Sequence, residues 1–139
     1  MASLKTVHSE ILNAIKTKLT ELTALKSITI GELTTLPPDK FPACYIIPSR
    51  DEEADENVAE IMHRFRTKIV VIERDASPTQ GAADIIDLCG DVHDKLLQDR
   101  TLDGSCEILY FIDRNFDYML GKDYSLFWAI IAVEPWKAI

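Results

Sequence analysis

The chain has 139 residues, of which 47% are hydrophobic and 27% charged, and these proportions predict one ordered domain spanning residues 1–139. Its formal net charge of -8 argues against tight, non-specific nucleic-acid binding, because such binding requires clustered cations. The three cysteines form no CxxC pair, and the sequence shows neither a signal pattern nor an apolar run of membrane length, so we expect buried thiols and a cytoplasmic location.

An amphipathic helix is predicted at the start of the chain, with Ser3 as its N-cap. We expect it to end near Lys26, because the next residues, SITIGEL, are β-branched and reach Gly31. The segment LPPDKFP predicts irregular chain, and ACYIIPS predicts a short strand in which Pro48 marks a sheet edge or a bulge. The apolar residues of the helix recur at steps of three or four: Leu4, Val7, Ile11, Ile15, Leu19, Leu22 and Leu25.

Opposite charges adjoin in the next segment. The acidic run that begins at Arg50 predicts a mobile loop at about 50-60, since like charges repel each other. The stretch IMHRFRTKIVVIERD then alternates with period two and predicts a strand. If its apolar face meets the helices, then Arg64, Arg66 and Lys68 point away from the core. The carboxylates of the run are Asp51, Glu52, Glu53, Asp55, Glu56 and Glu60.

The second half of the chain contains a helix and a hairpin. SPTQ at Ser77 to Gln80 is a capping box with proline at the first helical position, and it predicts a helix that continues to Leu97. Two β-rich runs follow, CEILYFIDRNFDYM and SLFWAIIAVEPW. They are joined by LGKD, where Gly121 can adopt the positive φ of a hairpin turn.

This order of elements, α-β-β-α-β-β, predicts an α+β fold. Each helix has one apolar stripe to bury, so the economical arrangement is an antiparallel-rich sheet of about four strands with both helices packed on one face. The other face of the sheet is left without a predicted partner.

No sequence motif for catalysis or phosphate binding occurs, and the three histidines lie on three different predicted elements. We therefore predict no catalytic residues, no bound metal, no cofactor and no enzymatic activity. Two weaker patterns are compatible with metal ligation. Cys89 and His93 lie four residues apart on one helical face, with Cys44 or Cys106 as possible further donors. Three aspartates around the predicted hairpin form the other pattern: Asp113, Asp117 and Asp123.

The two neighbouring charge patches suggest contact between copies of the chain. We predict that Arg64, Arg66 and Lys68 of one subunit meet the acidic run of the next subunit. Such a head-to-tail contact uses two different surfaces, and it closes only as a ring.

The order of elements and several phrases resemble the tail terminator (tail completion, or minor tail) proteins of long-tailed bacteriophages. The phrases are LPPDKFPACYIIP, HRFRTKIVVIERD and FWAIIAVEPW, and the resemblance extends over nearly the whole chain. It implies a structural virion assembly protein that caps the tail tube, usually as a hexameric ring, and provides the head-joining surface.

The resemblance also implies a set of partners. These are further copies of the chain, the tail tube protein and a head-completion or connector protein, with genome DNA passing through the lumen without specific binding and with no membrane involved. The protein would reside in the virion, at the head-proximal end of the tail, and in the host cytoplasm during assembly. Under this resemblance the acidic run has three places open to it: the basic stripe of the neighbouring subunit, the lumen of the ring, or the tail tube. Two alternative functions also stay open: a head-side connector or adaptor protein of the neck, and a small metal-dependent enzyme using Cys89 and His93.

Overall fold

The computed structural model describes residues 3–31, 40–54 and 61–139. Within these ranges the strands form one sheet in the spatial order β1-β2-β3-β5-β4, with β1 parallel to β2 and all other neighbours antiparallel. The α+β class is therefore confirmed, with five strands where the sequence predicts about four. The elements in chain order are α1 (Leu4–Leu19), β1 (Ser27–Ile30), β2 (Ala43–Ala54), β3 (Met62–Asp75), α2 (Pro78–Leu97), β4 (Ile108–Met119) and β5 (Ser125–Ala138).

The middle strand, β3, divides its side chains between two environments. Phe65, Ile69 and Val71 are fully buried beneath the helices. The alternate residues on the other face include Lys68, which is exposed. This is the alternation that the period-two pattern predicts, and both helices pack on the same face of the sheet. We call the opposite side of the sheet the open face.

Two boundaries in the first third of the chain differ from the prediction. α1 ends at Leu19 with Thr20 as its C-cap, while Leu22 and Leu25 still pack on the core from the turns that follow. The residues Ser27–Ile30 form β1, a strand that the sequence does not predict. Four residues are too few to show the alternation of a strand. Their pairing partners, Ala43 to Ile46 of β2, lie outside the segment and are not indicated by it.

The first part of the acidic run also differs from the prediction. Arg50 to Ala54 do not begin a loop but extend β2, which pairs with β3 along its whole length. The register of this pairing shifts between Pro48 and Arg50, which confirms the bulge predicted at Pro48. The remainder of the run, residues 55–60, lies outside the described residues.

At two positions glycine is required because a neighbouring atom lies too close for any Cβ, and not because of a positive φ. A Cβ at Gly81, in the first turn of α2, would overlap the ring of Phe127 on β5. A Cβ at Gly121 would collide with the carbonyl oxygen of Tyr124, and Gly121 does not have the positive φ that the sequence suggests. The predicted N-cap of α2 is confirmed, since the Ser77 side chain accepts a hydrogen bond from the Gln80 amide.

The connection from α2 to β4 depends on one carboxylate. Leu102 and Asp103 adopt left-handed backbone angles, with φ of 50° and 55°. Asp99 accepts hydrogen bonds from the Thr101 hydroxyl at 2.7 Å and from the Asp103 amide at 2.8 Å, and its Oδ2 lies 3.1 Å from Lys18 Nζ of α1. These contacts, the Thr101 hydroxyl first, lower the pKa of Asp99 well below its ordinary value.

Asp99→Asn should make the protein less stable at pH 7, because a neutral amide is a weaker acceptor and loses the attraction of Lys18. A lowered pKa contributes stability that is complete above the ordinary value of 3.8 and is lost as the pH falls through the folded-state pKa. The difference in the free energy of unfolding between wild type and variant should therefore shrink below about pH 4. Urea unfolding at several pH values measures it.

Asp91→Asn is the matched control, because Asp91 is an exposed residue of α2. Its substitution should change the stability by no more than about 0.5 kcal/mol. An Asp99→Asn difference that stays constant from pH 7 to pH 3 would contradict this account of the connection.

Candidate assembly surface

The open face of the sheet carries a second, smaller apolar cluster. Ala43, Tyr45 and Val70 are buried there, although no helix of the described residues covers this side. Half-buried apolar side chains surround them: Phe41, Ile47, Ile72, Trp128 and Ile130. This cluster explains how the sheet face without a predicted partner is partly closed off from water.

The open face also carries an ion pair between β3 and its neighbour β5. Arg66 of β3 donates from Nε and from Nη2 to Glu134 Oε2 of β5, each at 2.9 Å. The Trp136 indole donates to the other carboxylate oxygen at 2.9 Å. The Glu134 side chain is 8% exposed, so these donors replace the water that a carboxylate otherwise needs.

The predicted basic stripe therefore occupies three different environments. Arg66 is held by Glu134, and the Arg64 guanidinium lies over the Trp136 ring at 4.4 Å from its centroid. Lys68 is exposed and forms no ion pair within the described residues. The subunit contact assigned to these three residues stays a prediction, and Lys68 is the member whose charge is available for it.

The acidic run meets the basic strand inside the chain. In the β2–β3 pairing, Asp51 lies opposite Phe65, Glu52 opposite Arg64 and Glu53 opposite His63. The buried His63 places its Nδ1 3.8 Å from Asp51 and 4.0 Å from Glu53, and Arg50 forms a salt bridge with Glu52. The other predicted members of the run, Asp55, Glu56 and Glu60, lie outside the described residues. The hairpin itself thus brings part of the two charge patches together.

Glu134 is the important residue that the sequence reasoning does not identify. Its signal is a single carboxylate in the apolar strand segment FWAIIAVEPW, two residues before Trp136. A lone charge at such a position needs a partner across the sheet. The partner follows only from the β3–β5 register, which joins residues more than sixty positions apart.

The candidate metal ligands do not form a cluster. Cys89 is buried, while His93 packs its ring on Phe111 at 4.4 Å and places Nδ1 3.0 Å from Asp94 Oδ1. Among the described residues no group of three or more histidine, cysteine or acidic side chains could hold a metal ion. Burial raises the pKa of Cys44 and of Cys106 to about 12 and also raises the pKa of Cys89, which keeps all three thiols protonated.

A second surface lies at the β4 end of the sheet. An apolar groove with a volume of about 790 Å³ runs between α2 and β4. Ile86 of α2 and Phe116, Tyr118 and Leu120 of β4 and its turn line it, and each of these side chains is at least half exposed. Phe127, which contacts Gly81, closes the bottom of the groove.

The Arg66–Glu134 pair should contribute to stability mainly by satisfying a buried charge. Arg66→Met leaves the Glu134 carboxylate without its counter-charge, and we expect the free energy of unfolding to fall by about 3 kcal/mol. The double variant Arg66→Met/Glu134→Leu removes both charges and should recover most of that loss. Lys68→Met, on the same face, is the control and should change stability by less than about 0.5 kcal/mol. Urea unfolding that shows no loss in Arg66→Met would contradict the role of the pair.

Comparison with known proteins finds a likeness among solved structures. No protein-family model matches the chain, and no curated protein matches it. Among solved structures, the fold is similar to that of a chain in the virion of native gene transfer agent (GTA) particle, with a TM-score of 0.52 and 13% sequence identity. The likeness covers 90% of this chain and 93% of that chain. The comparison shows that the two chains share a fold.

In the part of the chain that the structure describes, no helix is long and apolar enough to cross a membrane.

Proposed function

We propose that the protein is a non-enzymatic structural component of a phage-like virion, which caps the tail tube as a ring and provides the surface that the head joins. One observation carries the proposal: the fold likeness to a virion chain of the gene transfer agent extends over nearly the full length of both chains. The sequence resemblance to tail terminator proteins independently suggests the same kind of particle, and it alone suggests the head-proximal end of the tail.

The chemistry of the surface suits such a role. Two ion pairs, Glu134 with Arg66 and Asp99 with Lys18, join parts of the fold that are far apart in the chain. The large apolar groove beside β4 is typical of a surface that another protein covers. A net charge of -8 would let a ring of these chains repel the phosphates of passing DNA rather than retain them.

Assembly in solution tests the proposal. We expect the purified protein, alone or mixed with the tail tube protein of the same particle, to form a ring, usually hexameric in the resembling family. Light scattering coupled to size exclusion gives the mass, and electron microscopy gives the symmetry. A protein that remains monomeric at all concentrations, both alone and with the tube protein, would contradict the ring.

Binding to isolated partners then separates the two ends of the neck. A tail terminator should cosediment with assembled tail tubes and should stop their further growth at a fixed length. Binding to the head-completion protein with no affinity for tubes would instead indicate a head-side connector. The control is the tail tube protein polymerised without this chain, which should continue to elongate.

A further inference from the structure

Exposed apolar side chains collect at one end of the sheet. β4 is an edge strand that pairs only with β5 among the described residues, and its 12 residues include no lysine or proline, with one register shift between Phe111 and Asp113. Edge strands in natural proteins are usually blunted by such residues or covered, because their free backbone groups pair with other chains. Most of the large exposed apolar residues lie on β4 or the turn after it: Tyr110, Ile112, Phe116, Tyr118, Met119, Leu120 and Tyr124.

Among the described residues, the outer part of β2 has an edge without a strand partner, and most of its side chains are charged. β1 covers β2 only as far as Ile46, and the strand continues to Ala54 with Arg50, Asp51, Glu52 and Glu53. Carboxylates along an edge repel a second copy of the same edge. The chain therefore places mostly charged side chains along this edge, whereas on β4 three charged residues are interspersed with exposed apolar ones: Asp113, Arg114 and Asp117.

We propose that a second copy of this chain covers the β4 end: its β1 extends the sheet by pairing with the outer edge of β4, and its α1 covers the groove between α2 and β4. β1 and β4 are the two opposite ends of one sheet, so the contact is heterologous and repeats from copy to copy. This inference rests on the ring assembly of the proposed function and names the surfaces that join its subunits.

The position of α1 explains why β1 is the strand that fits. α1 packs beside β1 on the same side of the sheet as α2. A neighbour that adds its β1 next to β4 therefore brings its α1 to the helix side, where Phe116 and Tyr118 are half exposed or more. Pairing two β4 strands about a two-fold axis would instead place two uncovered strands side by side and leave both grooves open.

Charge also favours α1 of the neighbour over a second α2. Lys5 and Lys16 of α1 form no ion pair within residues 3–31, 40–54 and 61–139. α2 presents exposed carboxylates, among them Asp87 and Asp91. Bringing α1 of one copy beside α2 of the next places opposite charges together, whereas two-fold pairing brings two acidic helices toward each other.

Cysteine crosslinking between mixed variants tests which strands meet. Thr29 is exposed on β1 and pairs with Tyr45, whose side chain lies on the open face, and Asn115 of β4 pairs with Ile130 on the same face. The native thiols are buried and should not compete. We would mix Thr29→Cys with Asp113→Cys, Asn115→Cys or Asp117→Cys and add a short bis-maleimide.

The proposal predicts a covalent dimer in at least one of these mixtures and none in any variant alone. Crosslinking of a β4 variant with itself would overturn it in favour of two-fold pairing. Absence of a dimer in all three mixtures at concentrations where the wild type forms rings would also overturn it.

Phe116→Asp tests the groove. Phe116 is 50% exposed, so the variant should keep its circular dichroism spectrum and melting temperature. We expect its self-association to weaken by roughly 30-fold or more, since a charge would replace a central apolar contact. Ile61→Asp, at an exposed apolar position away from β4, is the control and should assemble normally.

The outcomes separate this inference from the proposed function. Rings that form equally well with Phe116→Asp would overturn the groove contact and leave the ring itself standing. Crosslinks between Thr29→Cys and a β4 variant, together with a wild type that forms open chains and never closes into rings, would support the contact and contradict the cap. Variant mixtures that do not crosslink, together with a wild type that forms no rings, would remove both.

Discussion

The alternation of side chains along β3 is the constraint on which the rest of the structure depends. Phe65, Ile69 and Val71 enter the core beneath both helices, and Arg64 and Arg66 lie on the open face. A slip of one residue in the pairing with β2 or β5 would bury the arginines and expose the core residues. Because β3 is the middle strand, its register determines the position of every other element of the sheet.

The ion pair between Arg66 and Glu134 is a consequence of that register. Replacing a buried pair by apolar residues is often nearly neutral for stability, whereas removing one partner is costly. Such a pair therefore disfavours alternative alignments of β3 and β5 more than it strengthens the correct one. It also means that the positive charge of Arg66 is balanced within the chain, as Glu52 and Arg50 balance each other on β2.

The two ends of the sheet differ in the way that an assembly subunit requires. Exposed carboxylates on β2 resist pairing with another strand, while β4 presents aromatic side chains beside an open groove. A monomer with this distribution keeps an apolar surface in water that a neighbour can cover. Two unlike ends on one sheet suit a repeating contact, and the closed form of such a contact is a ring.

Features set by neighbouring residues were predictable from the sequence: the N-cap of α2 at Ser77, the two faces of β3, the bulge at Pro48 and the hairpin of β4 with β5. Each depends on backbone chemistry or periodicity within a few residues. The tertiary structure alone decided that Ser27–Ile30 form a strand, that Glu134 is the partner of Arg66, and that β4 lies at the edge of the sheet. These features depend on contacts between residues far apart in the chain, and no local pattern of side chains encodes which distant strands become neighbours.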